Sequence, residues 1–397
     1  MSKITPFVLL ICFMMIPSVN SAVLEEIKDF GDNPSSLKMY LYVPDDLPDN
    51  VPVLVGLHWC HGTAKDYFNG NKYRYLADEY KFIVIYPDAN SNDSCFDVHS
   101  EETLSHNGGG DSKSVISMVR YVLSHYDTDS SRVFVTGHSS GGMLTNVMAG
   151  SYPEFFAAAS ASAGVPFGCF AGTNTWNSDC AQGKIDNTPV EWGDIVRFAY
   201  PAYNGRRPRM QLWHGTNDNV LNFHNFGEAI EQWTDVHRLM PTPSSTEQNA
   251  PMNTYIRTRY TDSAGTVLVE AIAATGEGHN CRIDEEEVVR FFGLDQPPTK
   301  VRKSAIDRNM IGNSCLTVRR TERGVVFTAS VPVSGRVRVE MYNLTGRRIA
   351  TLYDINRKNG TAIGEKITGI TKAGIGTTVI TVSVNGIQIE SRLVTAL

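Results

Sequence analysis

The segment Gly137–Gly141 (GHSSG) has the residue types and spacing of a turn that presents a nucleophilic serine. It follows the apolar run 132–136 directly and precedes residues 143–149, which predict a helix. Small residues on both sides of the serine permit a sharp strand-to-helix turn that exposes the hydroxyl at the end of a sheet. Glycine and serine also occur in ordinary turns, so the position between a strand and a helix is what favours catalysis. Ser139 is therefore the candidate nucleophile for attack on an ester carbonyl.

An acid and a base for this serine follow in the order that such folds use. A serine hydroxyl is a weak nucleophile until a base accepts its proton. Asp218 comes just after the predicted strand Met210–Trp213, and His279 follows the predicted strand Val267–Ala273 in a glycine-bracketed loop. Parallel strands end at one edge of a sheet, so we expect Asp218 to orient the imidazole of His279, the general base.

Other acids and histidines are alternatives for these roles. Asp235 and Asp262 are the alternative acids, but neither follows a predicted strand as directly. His138 precedes the serine by one residue and should point elsewhere, which predicts a supporting or packing role. Four further histidines fall in loops that can face the cleft: His58, His61, His106 and His214.

Hydrolysis of an ester also needs N–H donors for the oxyanion. The backbone N–H of Ser140, the residue after the nucleophile, is the first candidate donor. The second is expected in the loop after the predicted strand Pro52–His58, where Cys60 is the preferred donor and Trp59 and His61 are its alternatives.

The N-terminus and the cysteines indicate an exported protein. Residues 1–22 contain one lysine, an apolar run and then small residues, the layout of a secretory signal peptide, and the run is too short to span a membrane. Without this segment six cysteines remain, an even number that suits an oxidising compartment and permits three disulfides. The short loop between Cys169 and Cys180 makes them the first predicted pair, and Cys60 with Cys95 is the second. No pair has the CxxC spacing of a zinc site, so we predict no metal site.

The elements that must position these residues change character along the chain. From about 35 to 290, short β-branched and aromatic runs alternate with helical patterns, which predicts a mostly parallel sheet covered by helices. Residues 112–126 and 226–234 are among the predicted helices, the first capped by Asp111. Beyond a linker at 294–312, alternation of period two predicts a small all-β sandwich over 313–397.

Charge supports this division. Residues 298–397 hold 16 Lys and Arg against 6 Asp and Glu, whereas residues 1–297 hold 20 against 36. A shift from −16 to +10 within one chain is typical of two domains. The predicted organisation is a signal peptide at 1–22, an α/β-hydrolase domain at 23–293, a linker at 294–312 and a β-sandwich at 313–397.

With these residues assembled, the chain resembles carbohydrate esterase family 1, especially acetylxylan and feruloyl esterases, which are relatives of polyhydroxybutyrate depolymerases. The resemblance covers roughly residues 35–290 and rests on several ordered segments: LHWCHGTAKDYFNGNKYRYLADEYKFIVIYPDA, SCFDV, HNGGGDS, VFVTGHSSGGMLTNVMA, YPEFFAAASASAGVPFGCF, WNSDCAQG, RPRMQLWHGTNDNV and GEGH. It implies an α/β-hydrolase fold, the triad Ser139, Asp218 and His279, and an oxyanion hole at Cys60 and Ser140.

The same resemblance implies removal of acetyl or feruloyl groups from xylan in plant cell walls, with acetyl slightly favoured. Polyester hydrolysis and an inactive carbohydrate-binding protein are the alternatives. Loop aromatics near the expected cleft can stack on sugar or feruloyl rings or pack in the core, and Trp59 and Trp176 are the predicted substrate contacts among Trp59, Tyr67, Phe68, Phe170 and Trp176. Nothing resembles a phosphate loop, a dinucleotide fingerprint or a metal cluster, so we expect no cofactor and no nucleic-acid partner.

The C-terminal part is similar to the sorting domains of type IX secretion substrates. The resemblance rests on RVRVEMYNLTGRRIATLY and VITVSVNGIQIESRLV. It implies recognition by secretion machinery or retention at the cell surface, with a carbohydrate-binding or spacer role as the alternative. The expected location is extracellular or on the cell surface, with no membrane span once the signal peptide is removed.

Overall fold

A mixed sheet of ten strands lies at the centre of the computed structural model. The structure describes residues 22–91 and 93–296, together with strand segments between 315 and 394. The strands of this sheet are β1 (Leu24–Ile27), β2 (Lys38–Tyr42), β3 (Val51–Leu57), β4 (Ile83–Asp88), β5 (Thr128–His138), β6 (Ala158–Ser162), β7 (Arg209–Gly215), β8 (Ser245–Gln248), β9 (Tyr255–Thr261) and β10 (Val267–Ala274). Their order is β1-β2-β4-β3-β5-β6-β7-β10-β9-β8. The six strands from β4 to β10 in this order run parallel, and antiparallel strands flank them at both edges.

Helices cover both faces of the sheet, and two apolar clusters fill the space beneath them. The helices are α1 (Ala64–Gly70), α2 (Tyr73–Tyr80), α3 (Glu101–Leu104), α4 (Asp111–His125), α5 (Ser140–Ser151), α6 (Ser178–Ala181), α7 (Pro189–Ala199), α8 (His224–Val236) and α9 (Glu285–Phe292). Alternate residues of one strand enter opposite clusters, because successive side chains of a strand point to opposite faces. Val133 and Val135 of β5 pack with α4, α5, α7 and α8, whereas Phe134 packs with α1, α2 and α9. The layered α/β arrangement expected from the sequence is confirmed.

The sequence pattern predicts seven strands, and these correspond to β2 to β7 and β10: 39–43, 52–58, 82–86, 132–136, 156–162, 210–213 and 267–273. The strands β1, β8 and β9 were not predicted. These three belong to the antiparallel edges, where half-exposed positions weaken the apolar signal. The predicted cap at Asp111 is wrong, since Gly110 is the N-cap residue and Asp111 is the first helical residue of α4. Its carboxylate accepts instead from the backbone N–H of Asp97 at 2.8 Å.

The C-terminal strands form two further sheets, as predicted for an all-β region. They are β11 (Cys315–Thr321), β12 (Gly324–Ser330), β13 (Gly335–Asn343), β14 (Arg348–Arg357), β15 (Lys366–Thr371), β16 (Thr378–Val384) and β17 (Ile387–Val394). Their orders are β11-β12-β15 and β14-β13-β16-β17, with every pair antiparallel.

The predicted signal peptide lies outside the described residues except for Ala22, and the predicted linker does so beyond its first three residues. Among the helices that the structure describes, none is both long and apolar enough to cross a membrane.

Candidate active site at the carboxyl edge of the sheet

Ser139 lies in the turn between β5 and α5 with backbone angles φ 55° and ψ −118°, a conformation that is strained for a residue with a side chain. Its backbone N–H donates to the carbonyl of Ser162 at 2.9 Å, which anchors the turn to β6. A Cβ atom on Gly137 would lie 2.4 Å from the backbone of Gly141, and one on Gly141 would lie 2.2 Å from the carbonyl oxygen of Leu57. The motif therefore needs glycine at both positions because the backbone itself occupies the space of a side chain.

The structure brings Ser139, His279 and Asp218 into one hydrogen-bonded chain. His279 Nε2 lies 2.8 Å from Ser139 Oγ, and His279 Nδ1 lies 2.8 Å from Asp218 Oδ2. These distances fit an imidazole that donates to the carboxylate through Nδ1–H and accepts from the serine hydroxyl through Nε2. Ser139 and His279 are 140 positions apart in the sequence, and His279 and Asp218 are 61 positions apart.

Close contact between two loops places the acid against the imidazole. Asn217 N–H donates to the carbonyl of Glu277 at 2.8 Å, and Gly276 N–H donates to Thr216 Oγ1 at 2.9 Å. A Cβ atom on Gly215 would lie 2.2 Å from the carbonyl oxygen of Gly278, so this glycine permits the approach. The loops after β7 and β10 thus form one unit at the carboxyl edge.

Four donors surround the buried carboxylate of Asp218. Its Oδ1 accepts from the backbone N–H groups of Val220 and Leu221, both at 2.9 Å, and its Oδ2 lies 3.0 Å from His214 Nε2 in addition to its contact with His279. Burial raises the pKa of Asp218, but hydrogen bonds from His214 and His279 outweigh it and hold the pKa well below the usual range. Asp218 is therefore an anion that stabilises positive charge on the imidazole.

The sequence did not predict the contact between His214 and Asp218. His214 is buried, and its Nε2 also lies 2.8 Å from the carbonyl of Leu221. The available signal was the spacing of four residues between His214, near the end of β7, and Asp218 in the loop that follows.

His138 lies beside the triad and has its own partners. Its Nδ1 lies 3.1 Å from Ser162 Oγ, and its ring centroid is 5.5 Å from that of His279. Burial and the neighbouring His279 lower the pKa of His138 to about 4, so it is neutral at pH 7. These contacts fit the supporting role that its position beside the serine predicts.

The loop after β3, which includes the predicted oxyanion donor, lies against the nucleophile turn. The close approach of Gly141 to the carbonyls of Leu57 and His58 sets this position. His61 N–H donates to the carbonyl of Asp93 at 2.7 Å, which removes His61 from the candidate donors. The hydroxyl of Ser140 accepts from Phe96 N–H at 2.7 Å, which ties the start of α5 to the loop between β4 and α3.

Within the described residues, two disulfides join the predicted pairs of cysteines. Cys60 bonds to Cys95, so the loop after β3 is covalently held, and Cys169 bonds to Cys180 across a separation of 11 residues. Among the described residues Cys281 has no disulfide partner; its thiol is buried, and burial raises its pKa to about 12. Its sulfur is therefore protonated and a weak nucleophile at neutral pH.

The predicted aromatic contacts divide among a pocket, the exposed surface and the core. Trp59 lines a pocket of about 500 Å³ next to His138, together with Tyr73 of α2. Trp176 is 50% exposed and makes an edge contact with Phe170 at 5.4 Å. Tyr67 also borders this pocket but is almost fully buried, as is Phe170, so core packing accounts for most of their surface.

Within the described residues, one group has the composition of a metal site: Asp186, His224 and Glu228. Glu228 Oε2 accepts from Trp192 Nε1 at 2.6 Å and from Asn187 N–H at 3.2 Å. These bonds tie α8 to α7 and its preceding loop, which gives the carboxylate a structural role.

Comparison with known proteins identifies the family. The family model described as esterase PHB depolymerase matches residues 36–235. Acetylxylan esterase A of Aspergillus oryzae is 46% identical over 285 residues, which cover 70% of this chain and 91% of the relative. Feruloyl esterase B of Talaromyces stipitatus is 42% identical over 294 residues, covering 73% and 80%. The solved structure of acetyl xylan esterase from Aspergillus awamori has 44% identity and a TM-score of 0.66, covering 68% of this chain and 99% of that one. The chain therefore belongs to the esterase PHB depolymerase family and is a carboxylic ester hydrolase with an α/β-hydrolase fold.

Proposed function

We propose that the chain is a secreted serine esterase that removes acetyl groups from xylan through an acyl-enzyme on Ser139. The observation that carries this proposal is the hydrogen-bonded chain from Ser139 through His279 to Asp218, with 2.8 Å at each link. His279 accepts the hydroxyl proton as Ser139 Oγ attacks the acyl carbonyl, and Asp218 stabilises the resulting imidazolium. Backbone N–H groups of Ser140 and Cys60 hold the negative oxygen of the tetrahedral intermediate.

The remaining steps use the same residues in reverse. Collapse of the intermediate breaks the bond to the sugar oxygen, and His279 donates its proton to that oxygen as it leaves. A water molecule then gives a proton to His279 and attacks the acyl-Ser139 carbonyl. Breakdown of the second intermediate releases the carboxylic acid and restores the serine hydroxyl.

Three features support acetyl or feruloyl esters of a plant cell-wall polysaccharide as substrates. The relatives at 46% and 42% identity have the names acetylxylan esterase A and feruloyl esterase B. The pocket beside His138 has aromatic walls from Trp59 and Tyr73, which supports feruloyl esters as the second candidate. Trp176 is exposed and therefore free to stack on a sugar ring of the polymer. The family description also makes a polyester a substrate to test.

Secretion is part of the proposal. The composition of residues 1–22 supports a cleaved signal peptide, and two disulfides suit an oxidising compartment. The resemblance of residues 313–397 to type IX sorting domains supports export or surface attachment through this region. Deletion of 313–397 should leave the protein in the periplasm of a host with that secretion system, and release into the medium by the shortened chain would contradict the sorting role.

The central experiment compares acetylated xylan, methyl ferulate and polyhydroxybutyrate with the purified protein and its Ser139→Ala variant. We expect release of acetate at the highest rate and its loss in Ser139→Ala. Full activity of Ser139→Ala on a chromogenic acetate ester would overturn the proposed mechanism. A Trp59→Ala variant separates the two acyl groups, because loss of an aromatic wall should lower ferulate release more than acetate release.

A further inference from the structure

A second cleft, of about 830 Å³, lies at the amino ends of the parallel strands, whereas the triad lies at their carboxyl ends. Its volume falls within the roughly 300–1,000 Å³ that is usual for ligand sites. Five arginines and a single carboxylate are among the residues that line it: Arg197, Tyr203, Asn204, Gly205, Arg206, Arg207, Arg209, Val236, His237, Arg238, Asp262, Thr266 and Leu268.

The topology of the sheet separates this cleft from the nucleophile. Arg209 begins β7 and Leu268 lies near the start of β10, whereas Asp218 and His279 follow the opposite ends of these two parallel strands. Seven residues of β7 at 3.3 Å each span roughly 20 Å. The cleft is therefore distinct from the active site but lies on the same rigid sheet.

Most of the arginines in the cleft form no ion pair with a described residue. Arg197 is paired with Asp194 and Asp235. By contrast, Arg206 donates to the carbonyl of Ala157 at 3.1 Å and Arg207 to that of Gly150 at 3.3 Å.

Arg209 likewise donates to a backbone carbonyl, that of Phe291, at 2.5 Å. Asp262, the acid in the lining, accepts from two backbone N–H groups of its own turn at 2.9 Å. Within the described parts of the chain, no carboxylate lies within ion-pair distance of Arg206, Arg207, Arg209 or Arg238.

The electrostatics of the cleft favour a bound anion. Burial lowers the pKa of Arg207, and the charge of Arg197 lowers it further. Burial and the charge of Arg206 act on Arg209 in the same way. Glu154 offsets part of this effect on Arg207, as Glu270 does on Arg209. Both guanidinium groups remain charged at any working pH, so a ligand with negative charge would relieve the repulsion that they feel from Arg197 and Arg206.

An aromatic ring beside these charges narrows the class of anion. Tyr203 lines the cleft, stacks on Tyr200 at 5.5 Å between centroids, and lies 5.3 Å from the guanidinium of Arg207. A planar guanidinium binds a carboxylate through two parallel hydrogen bonds, and an aromatic face can pack on an apolar sugar face. A sugar that carries a carboxylate satisfies both features.

We propose that this cleft binds the uronic-acid residues of an acidic polysaccharide. The inference of a polysaccharide rests on the proposed function, because a polymer that carries acyl esters can contact the cleft and the nucleophile together. Residues 1–297 have a formal charge of −16, so an acidic polymer is repelled by most of this surface and attracted to the arginines. The cleft then orients the polymer and raises its local concentration near Ser139.

Binding can be measured apart from catalysis with the full-length Ser139→Ala variant. Affinity electrophoresis in native gels containing polygalacturonate or unsubstituted neutral xylan reports retention of the protein by each polymer. We expect retention by polygalacturonate, at least tenfold weaker binding when Arg206→Gln and Arg207→Gln are added, and weaker binding as salt increases. The matched control is Lys65→Gln with Lys184→Gln, which removes the same charge from exposed positions outside the cleft.

The outcomes separate the possible interpretations. No retention by polygalacturonate, or equal retention of the arginine variant and the lysine control, overturns the proposal. Equal competition by inorganic sulfate and by a galacturonate oligomer at the same charge concentration would reveal a general anion site and overturn the sugar assignment. Thermal unfolding verifies that the arginine variant is folded. With Ser139 intact, this variant should hydrolyse a chromogenic acetate ester at the normal rate, so a failure of the proposed esterase function is detected independently.

Discussion

Replacement of Asp218 by asparagine tests the site where its geometry is most specific. One carboxylate oxygen lies between His279 and His214, and the other accepts from the backbone N–H groups of Val220 and Leu221. Asparagine has one carbonyl oxygen and one NH₂ group in these places. Only one of the two sets of donors can therefore retain an acceptor.

The two backbone N–H groups cannot turn away, so they keep the carbonyl oxygen and the NH₂ group faces His279. His279 must then accept at Nδ1, and its proton moves to Nε2, which lies 2.8 Å from Ser139 Oγ. In this tautomer His279 cannot accept the serine proton. We expect kcat to fall about 10⁴-fold, the size known for this substitution in a serine protease, which corresponds to about 5.4 kcal/mol in the activation free energy.

The assay is hydrolysis of a chromogenic acetate ester at saturating concentration, with Ser139→Ala as the lower limit. Asp262→Asn is the matched control, since Asp262 also accepts from two backbone N–H groups at 2.9 Å but lies away from the triad. It should retain normal kcat. An Asp218→Asn enzyme that is folded by circular dichroism and keeps more than a tenth of kcat would refute the tautomer argument.

Three further predictions concern stability. Gly141→Ala should lower the free energy of unfolding by about 3 kcal/mol because its Cβ would lie 2.2 Å from a backbone carbonyl oxygen. Gly227 is the fourth residue of α8, and a Cβ there would have nothing within 4 Å, so Gly227→Ala should raise the free energy of unfolding by about 0.5–1 kcal/mol; urea unfolding measures both. Replacing Cys169 and Cys180 by alanine should lower the free energy of unfolding by about 2–4 kcal/mol because the disulfide no longer constrains the unfolded chain. The midpoint of thermal unfolding should fall, and the part of the reductant effect that is due to this disulfide should disappear. Burial, with the charges of nearby arginines, lowers the pKa of His237 to about 4 in the folded state, below its unfolded value of about 6.5. The unfolded chain therefore binds this proton first, and stability should fall as pH decreases from about 6.5 to about 4; His237→Gln should lose less stability over this range in urea titrations.

Each stability prediction has an opposing result. An increase in the free energy of unfolding for Gly141→Ala equal to that for Gly227→Ala would show that helix propensity, not the close backbone contact, governs position 141. An unchanged midpoint in the double cysteine variant would show that the loop at Cys169–Cys180 is held by its other contacts. Parallel pH curves for the native chain and His237→Gln would contradict a neutral His237 in the folded protein.

The central strands were predictable because burial on both faces leaves continuous apolar runs, as in Val133–Val135. The edge strands were not predicted, because in a half-exposed strand such as β9 apolar and polar residues alternate only weakly. Asp111 has a side chain suited to capping, yet a tertiary contact with Asp97 N–H competes for its carboxylate. Local preference therefore decided the core strands and failed where partners distant in sequence competed.

For the site, the sequence alone determined which residue types follow which strands: Ser139 after β5, Asp218 after β7 and His279 after β10. Parallel strands end at one edge, so order along the chain is enough to place these residues near one another. Only the tertiary structure decided their contacts, including the hydrogen bonds of His279 to Ser139 and Asp218 and the removal of His61 from the candidate donors by Asp93. The arginine cleft likewise depends on which loops meet at the other edge of the sheet. Distances and partners of this kind arise from packing between segments far apart in the chain, and no local pattern of residues encodes them.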